Sequence, residues 1–236
     1  MSLYIGIFGW AYPEWKPGFY PADVPRARFL AHYASVLSGC EINATFYRLQ
    51  RESTMAGWAE QVPEDFRFAV KAHRRLTHGP PDDGYDDFLR AFLESLEPLG
   101  ERLGAVLVQF PASRRRDHAV LDRLLAPIGR VTPFAAEFRH ASWDDPALDT
   151  TLSELGGTRC LVDEGTAPPD ALPPGPIGYV RLRGSHYDDA IRGAWWTRLR
   201  NEAATRTVFA FTKHKDLPAG DPNSGVSMAE WMCAQP

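Results

Sequence analysis

Ala136-Glu137-Phe138-Arg139-His140-Ala141-Ser142-Trp143 sets a carboxylate, a guanidinium, an imidazole and an indole directly after an apolar run. Val131, Thr132 and Phe134 lead into it, so Ala135 to Phe138 reads as the end of a short buried strand, and Asp144-Asp145-Pro146 as the start of a helix. Side chains alternate along a strand, which puts Glu137 and Arg139 on one face and Phe138 on the other. If that face is inward, the strand buries an ion pair. The fold therefore turns on whether other strands end in the same way.

Working outward, short apolar runs recur along the chain with helical segments between them. Leu3 to Phe8 is the first, followed by the aromatic loop Gly9-Trp10-Ala11-Tyr12-Pro13-Glu14-Trp15, which is either a hydrophobic plug or the wall of a ligand site. Phe29, Leu30, Tyr33, Val36 and Leu37 fall at helical spacing, with Gly39 as the expected C-cap. Cys40 to Asn43, Phe66 to Lys71 and Gly104 to Pro111 read as strands two to four, separated by helices expected over about Ser53 to Gln61 and Tyr85 to Leu96. Asp117 caps a helix expected to end at Pro127 and Gly129. After the fifth strand and a helix over Leu148 to Leu155 comes strand six, Thr158 to Asp163. Glu164 to Gly178 is too rich in proline and glycine for a helix, so an irregular loop replaces one crossover. Gly178 to Arg183 and Thr207 to Phe211 are strands seven and eight, with helices near Ala194 to Ala204 and Val226 to Trp231. Eight strands alternating with helices in 236 residues predict a single α/β domain over residues 1–236, a TIM-type (β/α)8 barrel, with a doubly wound sheet as the runner-up.

The overall composition, 44% hydrophobic and 24% charged, is that of an ordinary globular protein. A net charge of -4 excludes a basic footprint over the whole surface but leaves room for a local basic cleft. Cys40, Cys160 and Cys233 have no zinc or redox spacing and read as free thiols. With no leader-like or membrane-length apolar segment, the expected compartment is the cytoplasm.

In barrel enzymes chemistry gathers at the C-terminal strand ends. Those ends carry Glu41 and Asn43, Lys71, Gln109, Glu137 and Arg139, Asp163, Arg181 and Arg183, and Lys213. Buried charge is expensive, so seven such ends point to a polar ligand pocket, with a structural ion-pair network as the bland alternative. Lys71, Arg139, Arg181 and Arg183 exceed Glu41 and Glu137 by two charges, which suits an anionic ligand. Glu41 and Glu137 are the acid–base candidates. Trp10, Tyr47, His140, Trp143 and His186 complete the expected ligand-binding set, with capping as the competing role for both histidines. No close histidine pair marks a metal site, so any metal would need ligands gathered from separate strands, and no cofactor fingerprint is present.

Several ordered motifs carry a resemblance. Gly9-Trp10 with Trp15 and Phe19-Tyr20-Pro21, Glu41 to Arg48, Phe68 to Lys71 with Thr77-His78, Gln109-Phe110-Pro111, Glu137 to His140 with Ser142-Trp143, and Val180 to Gly184 resemble the successive signatures of the YecE-like family, domain of unknown function 72. That resemblance implies a one-domain TIM-type barrel with these residues lining its top, and it implies no reaction. Family members carry Phe-x-Asn-Asn after strand eight, whereas Thr212-Lys213-His214 stands here, and Arg183 stands where a histidine before glycine is usual. The pocket is accordingly expected to be more basic.

Three functions compete. The first is an enzyme on a phosphorylated or other anionic small molecule, its reaction open among hydrolase, lyase and isomerase. The second is a noncatalytic nucleic-acid binder stacking bases on Trp10, Trp15, Tyr47 and Trp143. The third is a metal-assisted hydrolase.

Overall fold

The computed structural model describes residues 2–79, 81–215 and 217–235. Among them nine strands form: β1 (Leu3–Ile7), β2 (Gly39–Ile42), β3 (Arg67–Lys71), β4 (Leu103–Gln109), β5 (Phe134–Glu137), β6 (Gly157–Arg159), β7 (Leu161–Asp163), β8 (Ile177–Leu182) and β9 (Thr207–Thr212). All paired neighbours run parallel, in the orders β2-β3-β4-β5-β6 and β1-β9-β8-β7. The molecule is thus an α/β fold with two parallel sheets of five and four strands. Within each sheet the order follows the chain without the reversal that marks a doubly wound sheet.

The ninth strand arises because the expected strand six divides at Cys160. Its first half pairs with β5 and its second with β8, while the Cys160 N–H donates to the Ala136 carbonyl at 2.9 Å. The chain passes from one sheet to the other across that single residue. Where β1 faces β2, a side chain of the helix Phe29–Val36 and one from the turn after it take the place of a backbone ladder. The Tyr33 hydroxyl accepts the Ile7 N–H at 2.8 Å and donates to the Gly39 carbonyl at 2.9 Å, and Ser38 Oγ accepts the Ile5 N–H at 2.9 Å. Buried backbone polar groups need partners, and here a phenol and a hydroxyl provide them.

Helices cover the strands. Helix Phe29–Val36 ends at Leu37, so Gly39 opens β2 instead of capping the helix. A Cβ on Gly39 would lie 3.2 Å from both the Arg67 carbonyl and the Tyr4 Cβ, so either neighbour would have to give by a few tenths of an ångström. The helix capped by the Asp117 carboxylate runs on past Pro127 to Val131, because a π turn over Leu121–Leu125 widens the backbone just ahead of the proline. A proline ring that would clash in a regular turn is accommodated there. Residues 164–176 contain neither helix nor strand. No helix among the described residues is long and apolar enough to cross a membrane.

The core has two parts. The larger fills the space between strands and helices. The smaller comprises Ala69, Ala105, Leu107, Ala135, Cys160, Ile177, Tyr179, Phe209 and Phe211 with neighbours packed on it. By alternation it shares its strand face with Glu41, Lys71, Gln109, Glu137 and Arg181. That face begins apolar and ends charged.

Candidate functional site

Arg181, at the end of β8, organises the charged end of that face. Its Nη1 donates to Glu137 Oε2 at 2.5 Å and to Gln109 Oε1 at 3.3 Å, and its Nη2 donates to Glu41 Oε1 at 3.0 Å. The guanidinium lies over the Phe8 ring, 4.2 Å from its centroid. Three more donors finish the carboxylates: Tyr179 Oη on Glu41 Oε2 at 2.9 Å, Asn43 Nδ2 on Glu41 Oε1 at 3.0 Å, and Arg139 Nε on Glu137 Oε1 at 2.7 Å. Glu41, Glu137 and Arg181 are all buried. Burial alone would raise the Glu137 carboxyl, but Arg181 and Arg139 outweigh it and hold the group below the usual carboxylate range. Each carboxylate oxygen already accepts a hydrogen bond.

Lys71 differs from its neighbours. It is buried at the end of β3, and among the described residues no hydrogen bond or ion pair engages its Nζ, which sits 4.3 Å from the Phe46 ring centroid. Burial lowers the amine from 10.5 to about 8; Glu41 opposes the shift and Arg181 adds to it. The amine opens on a cavity of about 270 Å³ lined by Phe8, Tyr12, Asn43, Phe46, Tyr47, Lys71, Lys213 and His214. Two lysines and a histidine line it, with no carboxylate. His214 is stacked on Tyr12 at 3.8 Å, accepts from Trp15 Nε1 at 3.2 Å and faces Glu14 at 3.3 Å. A second cavity of about 280 Å³ shares Phe8, Tyr12 and Asn43 and is walled by Trp10 and Trp58, whose rings meet edge-on.

The residues expected at the strand ends therefore separate. Glu41, Asn43, Gln109, Glu137, Arg139 and Arg181 form one bonded cluster, and Lys71, Tyr47 and Lys213 border the cavity beside it. Arg183 turns toward the loop, where Nη1 lies 3.6 Å from Glu164 Oε1. The excess of positive charge inside is thus smaller than a count of strand ends predicts. His140 caps a turn, its Nδ1 accepting the Ser142 N–H at 3.0 Å. His186 is exposed and borders neither cavity. Trp143 is 0% exposed, stacked on Phe138 and hydrogen-bonded through Nε1 to the Arg114 carbonyl at 2.9 Å. Trp15 is buried as well, so neither indole offers a face to a nucleic-acid base. Asp163 accepts from the Gly165 and Thr166 amides, the Thr166 hydroxyl and Tyr187 Oη, which makes it the organiser of a turn. Among the described residues no three His, Cys, Asp or Glu side chains converge as metal donors.

The family model described as "Protein of unknown function DUF72" matches residues 4–232. The chain belongs to the DUF72 family. Two relatives of this DUF72 chain are the UPF0759 protein YunF of Bacillus subtilis, 32% identical over 161 residues, and the UPF0759 protein YecE of Escherichia coli K12, 27% identical over 168 residues. Those alignments cover 64% and 68% of this chain but only 56% and 59% of the relatives' own lengths. A DUF72 protein of known structure from Thermotoga maritima superposes with a TM-score of 0.76 at 22% identity, covering 98% of both chains. One from Enterococcus faecalis gives 0.76 at 21% identity, covering 98% of this chain and 96% of that one. The fold is shared with both.

Sequence reasoning passed over several of the DUF72 chain's site residues, among them Phe8, Tyr12, His214, Tyr179 and Phe46. Tyr179 holds Glu41 and lies two positions before Arg181, so alternation from the arginine could have found it. Phe46, under the Lys71 amine, carries no such signal, because it sits in the short 3-10 turn Ala44–Phe46.

The buried amine also makes a prediction about stability. A lysine with a lowered folded pKa costs stability in full below about pH 8, and the cost fades from there to 10.5 as the unfolded chain also loses its proton. Lys71→Met is therefore expected to stabilise the chain at pH 7 by on the order of 2 kcal/mol. Urea midpoints measured from pH 7 to 10 should show the gain shrinking with rising pH. A loss of stability at pH 7 would mean that the amine is held by more than the Phe46 ring.

Proposed function

We propose that this DUF72 chain is an enzyme acting on a phosphorylated or carboxylated small molecule, bound at the C-terminal mouth of a single TIM-type barrel. One observation carries the reading: the cavity beside the Arg181 cluster presents Lys71, Lys213 and His214, and no carboxylate lines it. A lysine amine left without a bonded partner in a partly desolvated place is held for an incoming anion at low reorganisation cost. The walls Phe8, Tyr12, Phe46 and Tyr47 suit the carbon frame of a small ligand, and a cavity of about 270 Å³ suits its size.

Glu41 and Glu137 take a different part from the acid–base role suggested by their positions. With every oxygen occupied they serve as counter-ions that pin Arg181 and close the floor of the site. The barrel itself is the finer reading of the fold. It is supported by strands that follow chain order, by Cys160 joining the two sheets, and by Tyr33 bridging β1 and β2.

Calorimetric titration with inorganic phosphate and with phosphoglycolate tests the reading. Saturable binding is expected, weakened by roughly tenfold in Lys213→Ala, since a charge-assisted hydrogen bond is worth about 1.5–3 kcal/mol. Absence of binding by either anion at low salt would overturn it.

A further inference from the structure

We infer that Lys71 is a catalytic amine that forms an imine with its substrate, so that the ligand is a small aldehyde or ketone carrying a phosphate or carboxylate group. The inference rests on the anion-binding reading above and deepens it.

Four lysines, Lys16, Lys71, Lys213 and Lys215, stand among 26 basic residues, so arginine is this chain's usual cation. Arginine remains charged at any ordinary pH, whereas lysine can give up its proton and act as a nucleophile. Lys71 has the surroundings for that. Its Nζ is held over the Phe46 ring, within a cavity wall and without a bonded partner among the described residues. Arg181 from β8 and Arg139 from the loop after β5 press against its charge, while Glu41 from β2 and Glu137 from β5 favour it. Those two carboxylates are fully occupied by other donors, so neither takes the amine into an ion pair. Lys213 and His214, from the segment after β9, line the same cavity. His78, whose imidazole is lowered by burial and then by Lys71 and Arg139, adds no negative charge. An anionic group held by Lys213 would bring an attached carbonyl into the cavity that Lys71 also lines.

The step balances with the substrate alone. The neutral nitrogen's lone pair bonds the carbonyl carbon while the C=O π pair moves to oxygen, which takes one proton from nitrogen. The hydroxyl then leaves as water with the remaining N–H proton, and the C=N bond forms. Protonation of that nitrogen from solvent gives an iminium, an electron sink for breaking or moving a bond at the neighbouring carbon. Such chemistry belongs to lyases and isomerases and leaves hydrolysis without a role for the amine. With burial lowering it to about 8, Lys71 offers on the order of a hundredfold more neutral amine at pH 7 than an ordinary lysine.

Reductive trapping decides the matter. The full chain is incubated at pH 7 with glycolaldehyde phosphate and sodium cyanoborohydride, whose hydride adds to the imine carbon and fixes a secondary amine. Adducts are then mapped by peptide mass spectrometry. The expected result is labelling at Lys71 roughly tenfold or more above Lys16, suppression by inorganic phosphate, and weak labelling by glycolaldehyde, which lacks the anion. Lys71→Arg, which keeps the charge but cannot form an imine, should lose the dominant adduct. If phosphate binds but Lys71 is labelled no faster than Lys16, the imine is overturned and the anion reading stands. If both aldehydes label Lys71 equally and phosphate neither binds nor protects, the amine is reactive but the anionic substrate class is overturned. Circular dichroism of Lys71→Arg establishes that the variant is folded.

Discussion

Replacing Arg181 by methionine is expected to destabilise the chain by about 3–5 kcal/mol, because it leaves two buried carboxylates without their shared counter-ion. Glu41 would keep only Asn43 and Tyr179, and Glu137 only Arg139, which is more than a third exposed. Neutral polar donors cannot balance a desolvated negative charge, so the penalty falls mainly on Glu41. The triple variant Glu41→Gln, Glu137→Gln, Arg181→Met removes the three buried charges together, leaving only the part-exposed Arg139, and should recover most of the loss, as buried ion clusters commonly do when replaced as a unit. Urea unfolding of the two variants, with the slope checked for constancy, measures the difference. A loss under about 1 kcal/mol in Arg181→Met would show that water already solvates the cluster. Stability and ligand binding can thus be separated, since Lys213→Ala touches the cavity and spares the network.

Gly6→Ala is expected to be still more damaging, to the point of preventing recovery of folded protein. A Cβ at Gly6 would lie 1.8 Å from the Gly39 carbonyl oxygen and 2.7 Å from Tyr33 Oη. Neither neighbour can retreat cheaply, because the first is strand backbone and the second joins Ile7 to Gly39 by two hydrogen bonds. Opening the contact would strand the Ile7 N–H and the Gly39 carbonyl, each at about 1–3 kcal/mol, before any loss of packing around Tyr33. Gly57→Ala supplies the control. Gly57 lies in the helix Glu52–Ala59 with nothing within 4 Å of its added Cβ, so alanine should stabilise by about 0.5–1 kcal/mol. Thermal melts of the two variants side by side should move in opposite directions. A folded Gly6→Ala with an unchanged midpoint would mean that β1 and β2 do not approach as closely as described.

Much of the site's membership was legible because strand alternation is a local rule. Glu41, Lys71, Gln109, Glu137 and Arg181 could be assigned to one face from their positions relative to apolar neighbours within a few residues. Their partnerships were not legible. Arg181 meets Glu41 across 140 positions of chain and Glu137 across 44, and no local pattern records such distances. The same alternation puts Arg183 on Arg181's face, yet β8 ends at Leu182, and beyond a strand's end the rule stops holding. Trp143 misled for a related reason. An indole beside charged residues can face a ligand or the core, and the Phe138 ring and Arg114 carbonyl that make it a core residue come from packing.

The stretch from Ala136 to Trp143, with its counterparts along the chain, by itself determined an α/β order of elements and placed a row of charged residues at strand ends. Hydrophobic periodicity and the cost of burying charge suffice for that. Tertiary structure alone decided that Arg181 neutralises both carboxylates, that Tyr33 joins β1 to β2, and that Lys71 is the buried cation without a bonded partner among the described residues. Charge balance within a desolvated cluster is a property of distances in space, and the chain's linear order does not contain them.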